Sequence, residues 1–209
     1  MAKQLVVQLD RVLGIQTVLK KSSGGVPDDY GNSVSMEELC KRMVAKGYEY
    51  ATLMRTTGTR FQAKYPPDSG YSMKPERVLY FSYIDTEYNL PDWKLYLDHS
   101  ARDVREYAVS NIAFAKIKPG AQILRQDTPE DLAVIMEHRK DDSRIALFDW
   151  DKIASGTQGV IISNPGGNNG AFYTFDVHTL AVWDTSALED VVFFMHFGRD
   201  FMYGDREIP

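Results

Sequence analysis

The last third of the chain most constrains its fold. GVIIS (159–163), AFYTFDV (171–177), TLAVWD (179–184) and VVFFMHF (191–197) are short apolar runs rich in β-branched and aromatic residues. NPGGNNG (164–170) and TSALEDV (185–191) separate them with turn-forming residues, the second reading as a turn or short helix. The first three read as strands, GVIIS as a buried one, and VVFFMHF ends the apolar run.

Upstream, YEYATLM (48–54) and RVLYFSYI (77–84) read as strands, and NIAFAKIKPGAQIL (111–124) as strand, Pro-Gly turn, strand. Residues 4–9 read as a first strand or the start of a short helix. Ser35-Met36-Glu37-Glu38 is a capping box; Met36, Leu39 and Met43 follow at helical spacing and Gly47 closes the helix. A second helix is predicted from Ser100 to about Ser110, with Ala101, Val104, Tyr107 and Ala108 on one face. A third is capped by Thr128, with Pro129 first and Asp131 three residues on; Leu132, Ile135 and Met136 form its buried stripe. FDWDKIAS (148–155) reads as a short helix or turn, and DTEYNLPDW (85–93) as a turn. Helix and strand do not alternate as a doubly wound fold requires, so the predicted class is α+β.

With 209 residues the chain fits one domain, 1–209. Within it, 1–47 is a helical and loop portion, 48–192 the core and 193–209 a tail. The polar loop 62–76 has three prolines, a length and composition often tied to function. A net charge of −5, from 24 basic and 29 acidic residues, argues against general nucleic-acid or anionic-membrane binding. The lone Cys40 excludes an intrachain disulfide and reads as a small structural residue. No apolar run is long enough to span a membrane, and MAKQLVVQLDRVLG lacks a Sec signal pattern. The expectation is a soluble protein, cytoplasmic or delivered by a leaderless route.

Three stretches carry possible chemistry. Arg55 ends an apolar strand and is followed by Thr56, Thr57, Gly58 and Thr59. Its fork suits a phosphate or carboxylate, or it reaches solvent or an acidic partner. YFSYI (80–84) places Tyr80, Ser82 and Ile84 on one face and Phe81 and Tyr83 on the other. Such a strand can stack a flat ring and hydrogen-bond it, or be merely half-buried. In FYTFDVHTLAVWD, Asp176 and His178 share a face of an unbroken strand. They suit a base and its partner, two metal ligands, or a solvent-facing pair. No third ligand stands at metal-site spacing, so no metal is expected. Walker A, GxGxxG and GxSxG motifs are all missing.

The order of these stretches resembles the ADP-ribosyltransferase-like fold, the catalytic fold of many NAD-cleaving bacterial toxins and effectors. LMR (53–55) resembles the first element of its arginine-serine-glutamate branch and YFS (80–82) the second. GVIISNP and FYTFDVHTLAVWDTSAL look like the closing strands, so the resemblance spans roughly residues 48–192. It implies a split, mixed or antiparallel β core with two or three flanking helices and an NAD cleft within 48–192. Arg55, with Thr56 and Thr57, would hold the NAD phosphates; Ser82 would position the nicotinamide ribose, with Tyr80 or Tyr83 on the nicotinamide. The implied activity is ADP-ribosyl transfer to a macromolecular acceptor, a protein above all, or NAD hydrolysis, in a bacterial or phage setting. The pattern's glutamate has no counterpart, because no Glu occurs between Glu137 and Glu189. Asp176, with His178, is the candidate for its role. The alternative is an inactive module of this fold that binds a protein partner through its aromatic surface.

Overall fold

A computed structural model describes residues 20–21, 26–27, 33–55, 71–75, 78–99, 109–140 and 146–195. Its strands in chain order are β1 (Lys20–Lys21), β2 (Val26–Pro27), β3 (Ser33–Val34), β4 (Tyr50–Arg55), β5 (Tyr71–Ser72), β6 (Leu79–Asp85) and β7 (Leu90–Pro91). There follow β8 (Val109–Ile117), β9 (Ile123–Arg125), β10 (Arg139–Lys140), β11 (Leu147–Asp149), β12 (Gly159–Ile162), β13 (Thr179–Val182) and β14 (Leu188–Met195). The helices are α1 (Met36–Val44), α2 (Asp92–His99), α3 (Pro129–Glu137) and α4 (Trp150–Ala154). The chain is α+β, with mostly antiparallel pairing. It forms two compact units interleaved in sequence: residues 1–60, 83–116 and 190–209 make the first, 61–82 and 117–189 the second.

In the first unit, α1 begins as its capping box predicts. The Ser35 hydroxyl accepts the Glu38 N–H at 3.2 Å. Glu37 and Glu38 sit in the first turn and Lys41 and Arg42 in the last, complementing the helix dipole. Met36, Leu39, Cys40 and Met43 pack on Tyr48, Ala51, Ile84, Ile112 and Phe114. Gly47, at φ 87°, turns the chain toward β4, a backbone state a side chain would strain. β4 pairs antiparallel with β8 from Tyr50↔Ala115 to Met54↔Asn111, then slips register so that Arg55 faces Val109.

The expected turn at 85–93 is shorter than predicted. Asp85 accepts the Glu87 and Tyr88 N–H groups at 2.8 and 2.9 Å, and Asn89 is left-handed. The chain then returns as β7 and enters α2 at Asp92. The helix signal missed in the sequence is Pro-Asp just before an amphipathic run, a helix-start pair. Of the helix predicted from Ser100, residues 100–108 lie outside the described set, and Val109 and Ser110 already belong to β8.

In the second unit the strands run β9-β12-β13-β6, with β9–β12 parallel and the rest antiparallel. A smaller antiparallel sheet has the order β10-β11-β5. Trp150, Phe148, Phe172, Val160, Ile162 and Trp183 form the heart of its core. Phe148 and Phe172 stack at 5.1 Å. Each tryptophan finds a partner for its indole N–H: Trp150 donates to the Ser72 carbonyl at 3.1 Å and Trp183 to that of Thr157 at 2.7 Å. α3 seats the fully buried Ile135 here, with Leu132 and Met136 half-buried beside it. Thr128 occupies the predicted cap position without a side-chain capping bond; Asp131 instead accepts the Arg125 N–H at 2.9 Å.

The strand predicted at 171–177 does not form. A turn at Gly167–Gly170, left-handed at Asn168, Asn169 and Gly170, leads into a 3-10 turn at Tyr173–Phe175. Phe172 and Phe175, three apart, both enter the core, and a strand would point them to opposite faces.

The close approach of β12 to β13 gives a test. A Cβ on Gly159 would lie 2.6 Å from the Ala181 carbonyl oxygen and 2.8 Å from Ile123 Cδ1. Gly159→Ala is expected to lower stability by about 1–3 kcal/mol in urea denaturation, as overpacking does. Gly156→Ala, with nothing within 4 Å, is expected to be neutral or slightly stabilising.

Candidate functional site

The candidate site in the second unit is built on the β6–β13 ladder. Tyr80 faces Ala181 and Ser82 faces Thr179. Tyr80 and Ala181 belong to the Trp150 core, so strand alternation puts Ser82 and Thr179 on that same face, one step further out. Both are buried, at 5% and 6% exposure, and sit directly opposite each other. The Thr179 hydroxyl donates to the Val177 carbonyl at 2.8 Å, and the Tyr80 hydroxyl donates to the Pro75 carbonyl. The chain thus places two hydroxyl-bearing residues side by side at the edge of an aromatic core.

Just ahead of Thr179 the backbone is strained. Asp176 has φ 62° and ψ −47°, and the Val177 N–H donates to the Phe175 carbonyl at 2.7 Å. This is the positive-φ form of the γ-turn, rare for any residue with a Cβ. Such a conformation costs on the order of 1–3 kcal/mol. The Asp176 carboxylate meets Lys74 Nζ at 3.4 Å, with both side chains more than a third exposed. Lys74 Nζ also lies 5.6 Å from the Phe175 ring centre. An exposed ion pair contributes at most about 1 kcal/mol. The pair therefore does not repay the strain, and stability alone does not explain why an aspartate stands here.

The γ-turn also breaks the alternation that would put Asp176 and His178 on one face. His178 is partly buried, and desolvation holds its pKa below the ordinary imidazole value; Asp127 opposes that shift and Arg125 adds to it. Among the described residues, no three His, Cys, Asp or Glu side chains group together as a metal site.

The phosphate-binding candidates belong to the first unit. Arg55 closes β4, where the register slips; its side chain, with Thr56 and Thr57, lies outside the described residues. Tyr83 meets Tyr50 edge to face at 5.9 Å. Burial raises the Tyr83 hydroxyl pKa, and the carboxylates of Glu49, Asp85 and Asp92 raise it further. That field disfavours a phosphate at Tyr83 and suits a cationic ring. Cys40 is fully buried, and desolvation, then Glu37, pushes its thiol pKa far above the ordinary range, so it stays protonated at neutral pH.

Residues that reasoning from the sequence passed over also shape this unit. Lys74 comes from the long loop that stood out by length and proline content. Gln126, 4% exposed, donates to the Asn164 carbonyl at 2.6 Å and accepts the Asn164 N–H at 2.7 Å. It fixes the start of the turn that leads to Phe172 and Asp176. A lone glutamine after a short strand carries no signal for this role. No described helix is long and apolar enough to cross a membrane. Comparison with protein-family models, curated proteins and solved structures gave no match.

Two measurements probe this geometry. Asp176→Gly and Asp176→Ala both remove the carboxylate, but only glycine adopts φ 62° freely. The glycine variant is expected to be more stable than the alanine variant by about 1 kcal/mol; equal stabilities would contradict the γ-turn. The depressed His178 pKa means the unfolded chain takes up its proton first as pH falls below about 6.5. His178 therefore lowers stability as pH falls through that window. His178→Asn is expected to flatten the fall in stability between about pH 7 and 5 in denaturation series.

Proposed function

We propose that the chain is an NAD-dependent ADP-ribosyltransferase, or an NAD glycohydrolase, of the toxin or effector kind, acting on a macromolecular target. The observation that carries this reading is Asp176: a carboxylate kept in a strained, solvent-accessible turn, three residues ahead of the Ser82–Thr179 pair. Strain that the local contacts do not offset is most often found where function requires it.

In this reading the bond between nicotinamide and ribose breaks, and its electron pair leaves with nicotinamide. The ribosyl cation is stabilised by the Asp176 carboxylate. Water or an acceptor nucleophile then forms the new bond at the same carbon and loses a proton to solvent or to His178. Ser82 orients the ribose hydroxyls. Arg55, in the first unit, remains the pyrophosphate ligand that the resemblance implies, a role its fork geometry suits. Of the two tyrosines offered for the nicotinamide, Tyr80 shares the face of β6 that carries Ser82, and Tyr83 does not.

A second reading rests on a different observation. Tyr71, Met73 and Tyr173, all in the second unit, are 44%, 40% and 51% exposed. Exposed aromatic and methionine side chains anchor protein interfaces. With no glutamate between Glu137 and Glu189, the chain could be an inactive member of the same fold that binds a protein.

Incubation with NAD, followed by chromatography for free nicotinamide, separates the two. The expected result is release that falls about 100-fold or more in Asp176→Asn, the usual loss for a group stabilising transition-state charge. Calorimetry is expected to show NAD binding weakened at least about tenfold in Arg55→Ala, the loss of a charge-assisted hydrogen bond. Binding without release favours the inactive module; no binding at millimolar NAD overturns the NAD reading itself.

A further inference from the structure

At the opposite end of β13 from Asp176, a cavity of about 450 Å³ opens in the second unit. Its wall is the segment Ala154–Gln158, the Trp183–Thr185 corner and Gln122. It lies on the order of 15 Å along the strand from the Ser82–Thr179 pair, at about 3.3 Å per residue. No lysine or arginine lines it.

The hydrogen bonds of this wall are unevenly used. The Ser155 hydroxyl donates to the Lys152 carbonyl at 2.7 Å and the Thr157 hydroxyl to the Ile153 carbonyl at 2.6 Å. The Trp183 indole N–H is committed to the Thr157 carbonyl. Gln158 spends its amide hydrogens on Ser186 Oγ at 2.7 Å and Asp184 Oδ2 at 3.4 Å. Gln122 commits one of its own to the Gly120 carbonyl at 3.2 Å. Most side-chain donors of the wall are thus used inside the protein, the Thr185 hydroxyl and one Gln122 amide hydrogen excepted. Acceptors predominate among what remains: lone pairs on the Ser155 and Thr157 oxygens and, above all, the Asp184 carboxylate. A carboxylate has about four acceptor positions, and Asp184 engages them with the Ser186 N–H at 2.9 Å, the Ser186 side chain and Gln158. Burial opposes its charge, yet the hydrogen bonds from Ser186 and Gln158 outweigh that and hold its pKa below the ordinary carboxylate value.

We infer that this cavity is a binding site for a cationic N–H donor, a guanidinium or primary ammonium group, seated against the Asp184 carboxylate. A phosphate or carboxylate ligand would meet a like charge at Asp184 and few spare donors, which disfavours anions. The group comes either from a free small amine or from a basic side chain of another protein, and both use the same chemistry. The site shares no residue with the proposed NAD site, so it stands or falls independently of that reading.

The test is a two-dimensional amide NMR titration of the full chain with methylguanidinium at constant ionic strength. The expected result is saturable shifts at the Trp183 indole N–H and the amides of Ser155–Gln158 and Trp183–Thr185. Tetramethylammonium, which has charge but no N–H, is expected to bind at least about tenfold more weakly, since N–H bonds to a charged acceptor carry the recognition. Asp184→Asn keeps an acceptor for the Ser186 N–H and is expected to weaken methylguanidinium binding about tenfold. A capped arginine tetrapeptide separates the sources: saturable shifts with it assign the site to a protein side chain, and shifts with methylguanidinium alone assign it to a small free cation. Equal binding of tetramethylammonium, the same shifts with acetate, or undiminished binding in Asp184→Asn would overturn the proposal. The comparison of ligands on the unaltered protein holds even if the variant folds poorly.

Discussion

The second unit depends on the complete burial of β13. All four of its residues, Thr179–Val182, are buried, and neighbouring strands are hydrogen-bonded along both of its edges. A strand clamped in this way cannot slip, because a one-residue shift would exchange every side chain between faces. Ala181 is buried in the Trp150 core, and Gly159 beside it has no room for a Cβ. The register Ser82↔Thr179 follows from this packing, as do the positions of whatever the chain places at the two ends of the strand.

The two ends differ in chemistry. At the start, the chain arrives from a left-handed asparagine-glycine turn and must seat Phe172 and Phe175 in the core before it becomes a strand. The γ-turn at Asp176 is the joint that makes both possible, and it carries an acidic side chain at a position where glycine would be easier. At the other end, Gln158 ties the corner together. Its carbonyl accepts the Trp183 and Asp184 N–H groups at 3.2 Å each, and its side-chain oxygen accepts the Gln122 N–H at 2.8 Å. That arrangement leaves Asp184 facing a cavity with few donors to spare. One fixed strand thus presents a carboxylate at each end, the first held by backbone strain and the second by side-chain hydrogen bonds.

Much of this was legible in the sequence and some was not. The capping box at Ser35, the proline-started α3 and the runs that became β6, β12 and β13 carry local signals, because caps and β-branched or aromatic runs act through their own backbone. The α+β class followed from them. The failures have different causes. AFYTFDV has the composition of a strand, but Phe172 and Phe175 are both claimed by one core, and tertiary packing overrode local preference. The helix at Asp92 was hidden by a proline read as a turn. The roles of Gln126 and Gln158 depend on partners 38 and 36 residues away, Asn164 and Gln122. Single polar residues whose partners are so distant leave no pattern in the sequence. Asp176 and Ser82 were singled out beforehand, and the structure places both in the second unit; Arg55 belongs to the first.

We propose that NAD binds at the Asp176 end of β13. The most direct measurement is an amide NMR map of the full chain titrated with NAD. Saturable shifts are expected at Asp176–Thr179 and at Ser82, with the amides of Trp183–Thr185 unmoved. Shifts confined to the Trp183–Thr185 corner, or none at millimolar NAD, would contradict it.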